Sequence, residues 1–258
     1  MTDSIPLADF DPTGRFSDRA ADYVKYRPDY PAAAIDAILD GLGDPSRLVA
    51  ADVGAGTGIS SRALAARGVR VIAVEPNRAM RDAAAPDPRI TWHDGTAEAT
   101  GLADGAVDLV VAAQAFHWFR QREAVREFHR ILRPDGRLAL IWNSRDPNDP
   151  LTRGYIEAIH AIQGEHPAER RELDTGVLEA GPFDPPELLT FPYHQELDLE
   201  GFLGRATSAS YVPKQGAGFE QLRAALIALH VHHRDEHGRV RMHYVTKVYR
   251  AARRPSPA

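Results

Sequence analysis

The segment from residue 48 to residue 58 constrains the fold more than any other part of the chain. It begins as an apolar run suited to a buried strand and then carries three glycines at alternate positions, Gly54, Gly56 and Gly58. A helical pattern follows over residues 59–67. A strand, a glycine loop and a helix form the first half of a βαβ unit, so the segment predicts an α/β fold with a parallel sheet. In such sheets a ligand binds at the carboxyl end of the strand, where these glycines lie.

The spacing of the loop, and of an acid beyond it, indicates which nucleotide binds there. Glu75 ends the next apolar run, at about the twenty-residue distance where an acid meets a ribose diol. The dinucleotide fingerprint needs a glycine at position 59, which is Ile59, and a pyrophosphate would also meet the negative charge of Asp52. No basic residue lies between Asp52 and Ser61. These residues favour a nucleoside with a cationic or zwitterionic tail, such as S-adenosylmethionine (AdoMet).

Four segments of the chain resemble class I AdoMet-dependent methyltransferases. The loop at residues 52–58, together with Glu75, is similar to their AdoMet site. Three further segments resemble the methyltransferase type 11 group, which includes trans-aconitate methyltransferase-like proteins: residues 15–31, 95–98 and 114–119. The resemblance extends over roughly residues 10–143. It implies an AdoMet-dependent methyltransferase with a Rossmann-like, seven-stranded α/β sheet, helices on both faces and a helical cap.

The resemblance also implies which residues would hold AdoMet. The glycine loop would supply backbone amides and room, and Glu75 would bind the ribose. Gln114, whose amide both donates and accepts, would face the methionine part. The adenine would lie at Thr96 and Ala97, after the third strand. The complete predicted set is Tyr23, Asp52, Gly54, Ala55, Gly56, Gly58, Glu75, Pro76, Thr96, Ala97 and Gln114.

Several of these residues have an alternative, purely structural interpretation. Asp52 would either act on the methionine ammonium, directly or through water, or make a local loop hydrogen bond. Thr96 and Ala97 would either border the adenine or form a plain turn. Tyr23 would either touch the methionine end or, with Tyr26, pack the N-terminal leader onto the domain.

His117 is the candidate catalytic residue. It follows the predicted fourth strand, where methyl donor and acceptor should meet. A neutral imidazole there would take a proton from a hydroxyl or amine, or donate a hydrogen bond to the acceptor. The alternative is that residues 116–119 form a packed aromatic wall at a helix start, because a carboxylate acceptor needs no base. Methyl transfer from a sulfonium requires no metal, and the sequence predicts none.

The remaining pattern predicts a single methyltransferase domain over residues 1–258. Further strands are predicted at 69–75, 89–92, 107–112 and 138–142, and helices at 32–39, 78–85 and 119–132, with a turn at 134–136. Two late runs, 191–199 and 239–250, predict an antiparallel hairpin. The divisions are a leader and cap at 1–40, an AdoMet-binding core at 41–143, an acceptor-side insertion and cap at 144–238, and a last strand and tail at 239–258.

Composition and charge disfavour several classes of function. Because the chain has no cysteine, thiolate catalysis, disulfides and Cys-based zinc sites are excluded. A net charge of −5 argues against broad nucleic-acid binding. No apolar run is long enough to span a membrane and no signal peptide is apparent, so a cytoplasmic protein is expected. The histidines between positions 230 and 237 fit a solvated turn better than a metal site.

Three functions compete for this pattern. The first is AdoMet-dependent methyl transfer to a small-molecule acceptor, for which the trans-aconitate-like resemblance suggests a carboxylate or hydroxyl oxygen. The second is a catalytically idle AdoMet-binding regulator or partner protein. The third, an NAD-linked oxidoreductase, is disfavoured by Ile59 and Asp52. An acidic substrate would pair with an arginine side chain. The candidates are Arg15, Arg19, Arg27 and Arg145, and the alternative is that they lie on the protein surface.

Overall fold

The computed structural model describes residues 24–164, 176–179, 181–209 and 211–255. Tyr23 and most of the leader therefore lie outside the described residues. The helices are α1 (Ala32–Leu39), α2 (Ile59–Ala65), α3 (Arg78–Asp82), α4 (Gln121–Ile131), α5 (Pro150–Gln163), α6 (Gly176–Glu179), α7 (Leu199–Thr207) and α8 (Ala217–His233). The strands are β1 (Val49–Val53), β2 (Arg70–Val74), β3 (Ile90–His93), β4 (Val107–Ala113), β5 (Leu132–Arg145), β6 (Glu187–Leu197) and β7 (Val240–Ala252).

The strands form one seven-stranded sheet in the order β3-β2-β1-β4-β5-β7-β6. The first five strands are parallel, and β7 runs antiparallel between β5 and β6. The chain passes outward from β1 to β3 and then returns to β4 on the other side of β1. The connections therefore diverge between β1 and β4, at the switch point where open α/β sheets bind ligands. The predicted Rossmann-like sheet is confirmed, and its last two strands pair antiparallel as expected. They do not form a hairpin, because α7 and α8 lie between them in the chain.

Helices cover both faces of the sheet because its central strands are apolar on both sides. On one face, α1 and α2 pack against buried residues that include Ala50, Leu109 and Ile141. On the other face, α4 packs against a set that includes Leu138 and Trp142. Successive residues of β5 thus point to opposite helix layers. This alternation decides which side chains can reach which side of the switch point.

A third apolar cluster forms the cap, which consists of α5, α7 and α8. These helices pack together and onto the start of β7, through a set that includes Tyr155, Phe202, Leu226, Met242 and Tyr244. Helix α5 follows β5 directly, and β7 starts where β5 ends because the two strands are antiparallel. The cap consequently lies at the carboxyl end of β5, beside the switch point.

The turn predicted at residues 134–136 is wrong. These residues lie within β5, which begins at Leu132 rather than at 138. Val107 pairs with Leu132 and Leu109 pairs with Arg137, so the intervening residues of β5 have no counterparts on β4. They form a bulge, which absorbs the proline and glycine without ending the strand.

Several helix boundaries also differ from the prediction, and α2 ends at Ala65 rather than 67. Helix α4 begins at Gln121 rather than 119, because Phe116–Trp118 form a 3₁₀ turn and Phe119 then takes an extended conformation, with ψ of 155°. Helix α3 ends at Asp82 rather than 85. The predicted bounds of α1 match the structure.

Candidate active site

Backbone hydrogen bonds hold the glycine loop against β2. The N–H groups of Gly54 and Ala55 both donate to the carbonyl oxygen of Val74, at 2.9 and 3.2 Å. Gly54, Gly56 and Gly58 all have positive φ, between 59° and 78°. Residues with a Cβ rarely adopt this conformation, so the alternating glycines are a conformational requirement of the loop.

Gly56 is the loop position that leaves room for a ligand. A Cβ at Gly54 would lie 2.8 Å from the Ala115 Cβ, so Gly54 is also required for packing. The atom nearest to a Cβ at Gly56 would be Cε of Met80, at 3.4 Å. The Gly56 backbone is therefore open on the side where the sequence predicts a nucleoside, and that contact stays a prediction.

Glu75 closes the loop just beyond the end of β2. Its Oε2 accepts a hydrogen bond from the Gly56 N–H at 2.8 Å, and its Oε1 accepts one from the Asn77 N–H at 2.9 Å. Each carboxylate oxygen keeps a second lone pair, so both oxygens can also accept from ribose hydroxyls. Burial raises the pKa of Glu75, and the two backbone donors oppose this rise because they stabilise the carboxylate.

Asp52 lies beneath the loop rather than at its ligand side. Its side chain is fully buried, and its Oδ2 accepts hydrogen bonds from the hydroxyls of Ser60 and Ser61, at 2.7 and 2.5 Å. Burial raises the pKa of Asp52, and the two hydroxyl donors oppose the shift. The local hydrogen bonds of the structural interpretation are present at Oδ2. The Oδ1 atom is buried and meets no donor among the described residues, so contact with the methionine ammonium, directly or through water, stays a prediction.

Gln114 follows β4 in a strained conformation. Its φ is 55°, and it is the only described residue other than glycine with a positive φ. The Gln114 N–H donates to the carbonyl oxygen of Ile141 at 2.9 Å, and its Nε2 donates to that of Asn143 at 3.3 Å. These bonds to β5 hold the strained residue at the switch point, and strain of this kind is concentrated at functional sites.

His117 lies in the 3₁₀ turn that follows Gln114 and is half-buried. The indole N–H of the buried Trp142 donates to His117 Nδ1 at 3.4 Å. An indole N–H can only donate, so this bond assigns the proton of the neutral imidazole to Nε2. The ring of Trp118 lies 5.0 Å from that of His117, so the predicted aromatic wall is also present.

The residues predicted to border the adenine lie in a tight turn after β3. The Thr96 N–H donates to the carbonyl oxygen of Ala99 at 3.2 Å, and the Ala99 N–H donates back to that of Thr96 at 3.3 Å. The Ala97 side chain is buried in the sheet core, so a contact with adenine would involve its backbone. Thr96 and Pro76 are half-buried, and Tyr23 lies outside the described residues.

The described part of the leader connects the sheet to the cap. The Asn143 side chain donates to the carbonyl oxygen of Asp29 at 2.9 Å and accepts from the Thr246 hydroxyl at 2.6 Å. The Tyr26 hydroxyl donates to Glu200 on α7 at 3.0 Å. Tyr26 therefore packs the leader onto the cap.

Sequence reasoning missed a polar cluster between the cap and the end of β5, in which Tyr155, Arg205 and Tyr244 are buried and two further members are half-buried. Its members are Arg145, Tyr155, Arg205, Tyr211 and Tyr244. Of these, the sequence singled out only Arg145, as a partner for an acidic substrate. Arg205 lies in a segment without a recognisable motif, and its neighbours come from distant parts of the chain.

Neither a membrane span nor a metal site is found in the described part of the chain. No described helix is long and apolar enough to cross a bilayer. Among the same residues, no three His, Asp or Glu side chains converge as a metal-binding group. Near the end of α8, His230 is buried whereas His232 and His237 are exposed.

A methyltransferase family model and proteins named as methyltransferases match the chain in sequence. The family described as "Methyltransferase domain" matches residues 51–140. A protein of Dictyostelium discoideum, provisionally named a methyltransferase, is 34% identical over 220 residues, which are 81% of each chain. An uncharacterized methyltransferase-like protein of Schizosaccharomyces pombe is 37% identical over 153 residues, or 58% of each chain. The chain thus spans less than two thirds of the length of this second relative.

A solved structure also matches the fold. It is provisionally described as a type II methyltransferase from Anaeromyxobacter dehalogenans, and it is 26% identical to this chain, with a TM-score of 0.64. The superposition covers 90% of this chain and 100% of that one. The match extends beyond the sequence-matched core, so the cap region lies within the shared fold.

Proposed function

This chain belongs to the class I AdoMet-dependent methyltransferases, and on that basis we propose that it transfers a methyl group from AdoMet to a small-molecule acceptor. The observation that carries the proposal is the arrangement at the switch point. There Gly56 leaves room along the backbone, Glu75 keeps lone pairs for a ribose, and Gln114 is held in strain across the crevice. These groups suit a nucleoside with a zwitterionic tail.

Each of these residues has a distinct part in binding the methyl donor. Glu75 accepts from the two ribose hydroxyls, while its existing bonds to backbone N–H groups hold its orientation. Gly56 lets the nucleoside lie against the loop, and the side-chain amide of Gln114 orients the methionine part. The backbone of Thr96 and Ala97 borders the adenine. Asp52 acts indirectly, because it ties the loop to the start of α2 through two serine hydroxyls.

The reaction requires positioning more than activation. AdoMet supplies a methyl group on a sulfonium that leaves as a neutral thioether. The protein must hold the acceptor atom in line with that methyl group, at about 3 Å, and exclude water. His117 donates a hydrogen bond to the acceptor through Nε2–H. This tautomer suits a carboxylate oxygen best, because a hydroxyl would have to lose its proton on methylation and Nε2–H cannot take it.

Binding measurements test the first half of the proposal. Calorimetry with AdoMet, with its demethylated product and with NAD should show binding of the first two and none of NAD. Failure of both AdoMet and its product to bind would contradict the proposal, and binding of NAD would favour an oxidoreductase instead.

Transfer of label tests the second half. Methyl-labelled AdoMet incubated with the protein and a metabolite extract should label a small molecule, and a Gly56→Val variant should give no label. An AdoMet-binding protein that labels nothing in extracts from several sources would contradict methyl transfer while leaving donor binding intact.

A further inference from the structure

We propose that the polar cluster around Arg205 binds a carboxylate of the methyl acceptor, so that the substrate is a small carboxylic acid. This inference rests on the proposed function, because it assigns the acceptor side of the same site. It starts from Arg205 on α7, which is only 4% exposed. The Arg205 Nε donates to the Tyr244 hydroxyl at 3.2 Å. Its Nη1 is buried and, among the described residues, meets no acceptor.

A buried guanidinium without a carboxylate is costly. An arginine stays protonated, and a buried charge is normally paired because desolvation is otherwise uncompensated. The single neutral hydroxyl of Tyr244 does not offset that charge. An anion from outside the described residues is therefore expected at Nη1, and a substrate is the candidate that this position suggests.

Tyr155 supplies a second unused donor in the same cluster. It is fully buried on α5, and no partner for its hydroxyl lies among the described residues. Burial raises the pKa of Tyr155 to about 12, so the hydroxyl keeps its proton at neutral pH. Two donors, one of them charged, match the two oxygens of a carboxylate.

Arg145 adds a second positive charge beside Tyr155. Its guanidinium carbon lies 4.9 Å from the centre of the Tyr155 ring, and its Nη2 donates to the Tyr211 hydroxyl at 3.4 Å. The acids that follow Arg145 in sequence are already used locally. Asp146 accepts from the Asn148 backbone and side chain, while Asp149 caps α5. The cluster thus combines two cations with three tyrosines.

The cluster lies on the acceptor side of the switch point. Arg145 ends β5 two residues after Asn143, which is about 7 Å along an extended strand. Gln114 donates to the carbonyl oxygen of Asn143. Arg145 also pairs with Tyr244 in the β5–β7 register, which brings β7 and the cap to the same place. A small acid held at Arg205 would therefore extend toward the end of β4, where methyl donor and acceptor should meet.

The stability of the free protein tests whether Arg205 lacks an internal partner. Arg205→Met removes an unpaired buried charge, so we expect the melting temperature to rise by about 2–4 °C or more. Arg223→Met, on the exposed surface of α8, is the matched control and should change little. A fall in the melting temperature of Arg205→Met would overturn the inference, because it would indicate an acid of this chain paired with Arg205.

Thermal shifts with simple probes test the chemical class of the ligand. Succinate should raise the melting temperature of the wild type and of Arg223→Met but not that of Arg205→Met, and its diamide should act on none of them. Arg205→Lys keeps the charge and loses the fork, so it should respond partially. Equal stabilisation of wild type and Arg205→Met by succinate would overturn the inference, as would stronger stabilisation of the wild type by phosphate.

Calorimetry and turnover separate this inference from the proposed function. Arg205→Met should bind AdoMet with wild-type affinity, while its turnover of acidic metabolites should fall at least about 30-fold, as when a buried charge loses its partner. Loss of AdoMet affinity in Arg205→Met would overturn the inference. It would mean that Arg205 binds the carboxylate of AdoMet rather than that of the acceptor. If the wild type does not bind AdoMet, the proposed function fails, whereas the succinate comparison still tests the anion site.

Discussion

The two sides of the switch point are built in different ways. The proposed donor side consists mainly of backbone: three glycines with positive φ, two N–H groups that bind Val74, and Glu75 held by further N–H groups. The proposed acceptor side consists of long side chains from β5, β7 and the cap. Backbone positions fix a single geometry, so the donor side should tolerate few changes. Side chains can be exchanged singly, so the acceptor side should change specificity before it changes the fold.

The largest expected effect follows from filling the space at Gly56. Gly56→Val places a branched side chain where the nucleoside should lie, at a φ of 59°. We expect AdoMet affinity to fall at least about 100-fold, since backbone strain and overpacking add. Calorimetry measures the loss, and circular dichroism checks that the fold survives.

Gly105→Val is the matched control for this change. Gly105 has φ of 61°, and an added Cβ there would meet no atom within 4 Å. Gly105→Val should therefore lose about as much stability as Gly56→Val while keeping wild-type affinity for AdoMet. Equal affinity losses in both variants would mean that strain alone is responsible, and would remove the distinction between the two sides.

A smaller effect is expected at the boundary between the sides, at His117. His117→Ala removes the Nε2–H donor, and turnover should fall about 10- to 100-fold, as for loss of a hydrogen bond to a charged group. AdoMet affinity should stay unchanged, and His232→Ala, at an exposed position on α8, serves as control. Unchanged turnover on an identified substrate would leave His117 as part of the aromatic wall only.

Gln114 should show that the donor side exchanges stability for binding. Gln114→Gly removes the strain of a positive φ, so the free energy of unfolding should rise by about 1 kcal/mol after the entropy of glycine is deducted. AdoMet affinity should fall because the side-chain amide is lost. Gln114→Ala loses the same amide and keeps the strain, so it should weaken binding without the gain. Urea unfolding measures the stability of the two variants, and calorimetry measures their affinity for AdoMet. Equal stability of Gln114→Gly and Gln114→Ala would contradict this account.

The smallest effect concerns the cap and its dependence on pH. Burial lowers the pKa of His230 below its usual 6.5, with a further contribution from Arg234, while Asp198 opposes the shift. The folded cap therefore favours the neutral form of His230. The contribution of His230 to the stability of the cap is fully present above pH 6.5 and is lost as the pH falls from 6.5 toward the lowered pKa. The loss should not exceed about 1.4 kcal/mol per pH unit.

Amide hydrogen exchange of α8 at pH 7.5 and pH 5.5 measures this loss directly. His230→Leu should remove the pH dependence in the cap. The glycine loop, which is hydrogen-bonded to β2 and not to α8, should exchange alike in the wild type and the variant. A pH dependence that persists in His230→Leu would assign the titration to another group.

The donor side could be predicted from sequence because its determinants are local. Alternating glycines and an acid after the next strand specify positions of the backbone, and the structure brings Gly56 and Glu75 together as predicted. Asp52 was harder, because nothing in the sequence indicates that the hydroxyls of Ser60 and Ser61 turn back toward it. Proline and glycine at 134–136 suggest a turn, yet pairing with β4 on both sides keeps them in the strand.

The acceptor side could not be predicted for the opposite reason. Arg205, Tyr155 and Tyr244 lie on α7, α5 and β7, and only the packing of the cap brings them together. No spacing rule relates them, because each contact depends on the orientation of a separate helix or strand. Sequence patterns predicted a cap in this region but did not predict which of its side chains meet.

The strand order has a consequence for how the chain is made on the ribosome. In the described sheet β6 pairs only with β7, which lies between β6 and β5. Residues 187–197 therefore have no strand to pair with until residues 240–252 have been synthesised and have inserted between them and β5. The strands around the glycine loop emerge earlier and can pair in the meantime. A translational pause between β6 and β7 would expose a solitary strand edge, and it is at this stage that the nascent protein would depend most on a chaperone.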